Sequence, residues 1–150
     1  VADTRRQQIL SALITRLQGI LVSGGYETDA GRNVFEWPDV ELSDEDEMPA
    51  IVVRDTQGPV ERNTNATDLH TLTVSMECLA KGSAAPAEVR KVMGDVIKAI
   101  GVDLTFGNLA EDSNLTSVSM LQVSHEDRRL GGGEVTVELQ YTTNHFDPFS

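Results

Sequence analysis

Between Leu69 and Ala80 the chain alternates so regularly that it reads as a long β-strand with one buried face. Leu72, Val74, Met76, Cys78 and Ala80 fall on one side, and Thr71, Thr73, Ser75 and Glu77 on the other. A second run repeats the pattern over Glu134 to Thr143. There Val135, Val137, Leu139 and Tyr141 alternate with Thr136, Glu138, Gln140 and Thr142. A sheet with one apolar face must be covered. Two helical periods can supply the cover. Ile9, Leu10, Leu13, Ile14, Leu17, Ile20 and Leu21 recur at three- and four-residue steps, which predicts a helix from about Asp3 to Leu21. Asp3 or Thr4 caps its start, and Gly24-Gly25 end it. Val89, Val92, Met93, Val96, Ile97 and Ile100 share a face of a second helix, opened by Pro86 and closed by Gly101.

Three shorter strands complete the pattern. Val34 to Trp37 is stopped by Pro38. Pro49 to Arg54 holds a β-branched run suited to burial on both faces, and Ser117 to Ser124 carries Val118, Met120, Leu121 and Val123. Glu61 to Asp68 is polar and reads as a loop, and Gly131-Gly132-Gly133 reads as the turn of a final hairpin. The expected fold is α+β: a mixed or antiparallel β-sheet packed on one face by two α-helices, in the order α-β-β-β-α-β-β, forming one domain over 1–150.

The charge balance excludes several functions. Asp and Glu number 24 against 12 Lys and Arg, a formal charge of −12. Gripping nucleic acid rests on cations, as does adhesion to an anionic membrane, so neither is expected. A basic protein partner, or a surface that DNA passes without sticking, remains compatible, as does plain solubility. No apolar run is long enough to span a bilayer, and Val1 to Gln8 lacks the core of a signal peptide. Cys78 is the single cysteine and lies in the apolar row, where it reads as a buried thiol. The acidic stretch from Asp39 to Glu47 has no basic residue, which predicts an exposed, mobile loop.

No catalytic constellation emerges, and no cofactor or metal is expected. The Gly131–Gly133 run lacks the Lys-Ser/Thr of a phosphate loop, and no serine stands in a Gly-x-Ser-x-Gly turn. His70, His125 and His145 are scattered, without the convergent spacing of a zinc site. Asp44-Glu45-Asp46-Glu47 lacks the alternation and central glycine of a calcium loop. The residues left for function are candidates for protein contact. They are Asp39, Glu41, Asp44, Glu45, Asp46 and Glu47 in the acidic stretch, Arg128 and Arg129 near the hairpin end, and Phe146 and Phe149 in the tail. For Arg128 and Arg129, surface ion pairing is the plain alternative.

Several segments in order carry a resemblance. They are the N-terminal helix, Pro49-Ala50-Ile51-Val52-Val53, the alternating Leu72 to Leu79, and the proline-opened helix. The last is a pairing of Ser124 to Arg129 with Val135 to Tyr141. Together they resemble the tail terminator proteins of long-tailed bacteriophages, the minor tail protein U type. The resemblance implies a structural virion protein with no enzyme activity, made in the host cytoplasm. Such proteins form a ring, typically of six subunits, at the head-proximal end of the tail tube. The ring stops tube growth and offers a surface for head attachment. Its implied partners are other copies of itself, the tail tube protein, and the neck or head–tail connector protein, with DNA passing through unbound. Asp39–Glu47 is a candidate for the lumen. The acidic stretch and the Phe146-Asp147-Pro148-Phe149 tail depart from the family pattern, so no interface residue is carried over. A neck or tail-completion protein of similar fold is the alternative, followed by an enzyme with an unrecognised site and a plain adaptor domain.

Overall fold

The computed structural model describes residues 2–43, 45–124 and 129–150, with the backbone alone for 122–124 and 129. Helix α1 spans Arg5–Gln18. The Thr4 hydroxyl caps it by accepting from the Gln7 amide at 3.1 Å. Ile9, Leu10, Leu13 and Leu17 are buried along one side. The helix stops at Gly19, short of the expected Gly24-Gly25. The cause lies in the turn at 30–32, which packs end-on against the last helical turn. The Gly31 amide donates to Ile20 O at 2.9 Å, and a β-carbon on Gly31 would stand 2.6 Å from the Gln18 carbonyl oxygen. Ile20, already off the helix, is fully buried, and Gly25 at φ 93° ends the short turn that follows.

Strand β1 (Val34–Glu36) runs parallel to β2 (Ala50–Asp55). It ends where Trp37 turns to φ 45°. The polar stretch expected to be a loop contains a short strand, β3 (Val60–Arg62), paired to the start of β4 (Thr67–Lys81). All three β3 side chains are exposed, so no alternation marked it. Helix α2 (Ala85–Gly101) is followed by β5 (Asp112–Ser124) and β6 (Arg129–Asn144). The path across the sheet is β1-β2-β4-β6-β5, antiparallel except at β1–β2, with β3 beside β4. The fold is the expected α+β arrangement, two helices against an open, mostly antiparallel six-strand sheet.

The three glycines are not a turn. Gly131, Gly132 and Gly133 lie within β6, opposite Ala80, Leu79 and Cys78 of β4. Gly131 and Gly133 face α2: a β-carbon on Gly133 would meet Met93 Sδ at 2.6 Å and Val89 Cγ1 at 2.8 Å, and one on Gly131 would meet Ala85 Cβ at 3.1 Å. They let the helix lie close on the strand. The register corrects the expected hairpin as well. Ser124 pairs with Arg129, whereas Val135 pairs with Val118, so Ser124 and Arg129 do not face Val135–Tyr141, and residues 125–128 of that expected pairing lie outside the described residues.

Both helices lie on one face of the sheet. Ile51, Val53, Leu72, Val74, Met76, Cys78, Val135, Val137 and Leu139 join the α1 and α2 side chains in one core. On the other face, the segment after β1 crosses the β2–β4 end, where Val52 and Leu79 are buried. Its anchors are Arg54 with Glu41 at 3.2 Å and Lys81 Nζ donating to Asp46 O at 3.2 Å. Elsewhere on that face Thr71, Thr73, Glu134, Thr136 and Glu138 are half-exposed, with the exposed Phe35 and Leu121 at its two edges.

Candidate interaction surface

The polar clusters of this fold are partnered to one another. Asp95, buried in α2, accepts from the amides of Glu27 and Thr28 at 3.1 and 2.9 Å and from the Thr28 hydroxyl at 2.7 Å. It ties the 26–29 turn to the helix, and sequence periodicity gave no hint of it. Asp55 accepts from Arg6 Nε and Trp37 Nε1, both at 2.8 Å. Burial pushes its carboxyl up, but those hydrogen bonds and the Arg6 charge outweigh it and hold the carboxyl below its ordinary value. Asp103 accepts from the Thr105 hydroxyl and from the amides of Gly107 and Thr105, which hold it at about 2.

The described histidines are also engaged. His70 stacks on Tyr141 with ring centroids 4.5 Å apart and bonds Thr143 Oγ1 at 2.8 Å. His145 Nδ1 lies 2.8 Å from Asp68, and Arg62 meets its Nε2 at 2.7 Å. A guanidinium only donates, so Nε2 is the acceptor and Nδ1–H the donor. Burial pushes the Cys78 thiol up to about 12, which leaves it protonated and unreactive. Among the described residues no group of three or more His, Cys, Asp or Glu gathers to hold a metal ion. A polar hollow of about 280 Å³ between the 27–33 turn and Glu47–Pro49 is walled by Glu27, Asp29, Glu47 and Glu88, with Arg32 as the one basic lining residue among the described residues. It presents no paired nucleophile and base.

The strands divide the surface. β1 and β5 are the terminal strands of an open sheet. Exposed apolar side chains sit at both: Phe35, Trp37 and Val40 beside β1, and Leu115, Val118, Met120 and Leu121 on β5. The chain matches no protein-family model and no curated protein.

The candidate contact residues fall toward the two ends of the strands. Asp39, Glu41, Glu45 and Glu47 are exposed, and Asp46 is half-buried, with its carboxylate accepting from the Ser43 amide at 2.7 Å. Asp46 reaches Lys81, which pairs with Leu130, so it lies at the end where β4 finishes and β6 begins. The loop is thus tethered, not held by nothing as its composition suggested. Arg129 opens β6 at this same end. Its side chain lies outside the described residues, as do Asp44 and Arg128. At the opposite end, Thr67 pairs with Asn144, and the tail turns there. Phe146 is 89% exposed at φ 55°, and Phe149 is exposed too. Arg5 fixes this turn by donating to Pro148 O from its amide and to Ser150 O from Nε. Sequence reading placed Val118, Met120 and Leu121 on a strand but did not mark that row as exposed, although no charged residue occurs from Ser113 to Ser124.

Proposed function

We propose that this chain is a tail terminator subunit, a structural protein that assembles with copies of itself into a ring capping the head-proximal end of a phage tail tube. The observation that carries the reading is the open sheet with exposed apolar side chains at both terminal strands. Two unlike edges on one subunit allow a head-to-tail contact, and such contacts close into rings when the rotation permits. The resemblance to tail terminators supplies the ring, its usual six subunits and its place on the tube.

The two strand ends then point to two axial partners. One carries the tethered acidic segment, the other the fixed aromatic turn. One end meets the last ring of tube protein, and the other meets the neck or connector protein. An acidic lumen would repel DNA phosphate and leave the passage slippery. Chemistry has no part in this reading, and no cofactor is required.

The test adds purified protein to polymerising tube subunits. Shorter tubes with a ring of density at one end are the expected result. Tubes of unchanged length, with bare ends, would refute the terminator reading. Rings that bind portal complexes and ignore tubes would move the protein to the neck.

A further inference from the structure

A ring needs two lateral surfaces that differ and fit. The β5 edge has the character of one. Long edge strands usually carry lysine, proline or inward charge that discourages docking. From Ser113 to Ser124 this strand has no charged residue and no proline. Its register places Leu115 opposite Val137, Val118 opposite Val135 and Met120 opposite Gly133, all on the helix side. Helix α2 lies over β4 and β6 and leaves this row uncovered, with exposures of 50%, 48% and 43%. At one end of the row, Ile97, Ile100, Leu104 and Leu115 wall a cavity of about 160 Å³.

The opposite edge offers projections where β5 offers a hollow. Phe35, Trp37 and Val40 are 38%, 53% and 77% exposed. Trp37 is already held in place. Its Nε1 donates to Asp55 at 2.8 Å, and the Arg54 guanidinium lies 5.9 Å from the centre of its ring system. An aromatic fixed before contact loses little freedom on binding. Charge follows the same division. Glu36 ends β1, and Asp39, Glu41, Glu45 and Glu47 follow it without a basic residue among them. Arg90, exposed on α2, stands two helical turns before Ile97 and so shares the side of the helix that borders the β5 cavity. Two β1 edges would set carboxylates against carboxylates, whereas unlike edges bring Trp37 to the hollow and carboxylates towards Arg90.

Resting on the ring reading above, we propose that the β5 edge of one protomer receives the β1 edge of a second copy, with Trp37, which reaches Asp55 on the helix side, seated against the Leu115–Val118–Met120 row. The test uses the full chain in sedimentation analysis. Val118→Lys with Met120→Lys blocks one edge, and Phe35→Lys with Trp37→Ala blocks the other. Each blocked variant should be monomeric with an unchanged circular dichroism spectrum. An equimolar mixture should give dimers, because one intact edge of each kind remains. A β1-blocked variant that dimerises alone would show β5 pairing with itself, and a β5-blocked variant that still forms rings would exclude β5. Either result overturns this contact and leaves the ring standing. A wild-type chain that stays monomeric in solution and on tube ends overturns both. If a blocked variant unfolds, Arg90→Glu serves in its place, since it changes an exposed side chain. It should weaken ring assembly several-fold, most at low salt, and unchanged assembly would count against the contact.

Discussion

At Gly133 a missing methyl group sets the distance between helix and sheet. A β-carbon there would overlap Met93 and Val89, whereas one on Gly132 would meet Leu79 Cδ2 at 3.4 Å, an ordinary contact. The difference arises because neighbouring residues of a strand point to opposite faces. Gly133→Ala should therefore destabilise the subunit by about 1–3 kcal/mol through overpacking, and Gly132→Ala by much less. Denaturant unfolding of the two variants measures this, and equal effects would contradict the packing. The sequence suggested a turn because three glycines permit one. It could not reveal that a helix would lie across two of them. Asp95 was hidden for a related reason: two of its three partners are the main-chain amides of residues 27 and 28, which carry no side-chain pattern.

Elements were legible where one face is buried and the alternation is unbroken. β4 and the latter part of β6 announced themselves in this way, as did the apolar faces of both helices. β5 was read short because its period breaks. Its register shifts between Leu115 and Ser117, so Leu115 and Val118 reach the same side of the sheet although they are three apart. The acidic segment shows the limit of composition. Like charges predicted an unrestrained loop, yet Arg54 bridges Glu41 at 3.2 Å and Glu77 at 3.1 Å. Arg54→Ala should release the segment. The tether contributes about 1 kcal/mol, so amide exchange over residues 39–47 should rise roughly fivefold. Exchange that does not change would mean that Lys81 and the Ser43–Asp46 turn suffice.

In the whole molecule, the acidic segment runs from the β1 edge to one strand end, whereas the aromatic turn at the other end is separate from both edges. The proposed assembly assigns the edges to neighbouring copies and the aromatic end to an axial partner. Changes at the aromatic end should therefore spare the ring. Phe146→Ser with Phe149→Ser removes two exposed aromatics from a turn held by Arg5. Rings should form as before by sedimentation, while capture of one axial partner, tube or connector, falls at least tenfold. Loss of the ring itself would place these aromatics in the lateral contact instead. The aromatic tail was visible in the sequence as an oddity. Its position opposite the acidic segment was not, because that depends on the antiparallel register of β4 and β6.

That register also governs how the subunit comes into being. The ladder at the centre of the sheet joins Lys81 to Leu130 at one end and Thr67 to Asn144 at the other, with α2 and β5 between them in the chain. Such distant pairing requires loop closure before it returns any favourable contact, so folding should be slow for a domain of this size. Throughout that interval β4 waits for its β6 partner, and β5 exposes a stretch from Ser113 to Ser124 without charge. Strands in that condition aggregate when chains are crowded. In the proposed assembly, the edge that joins finished subunits would thus make unfinished ones adhesive, and productive assembly would depend on each chain folding before it met its neighbours.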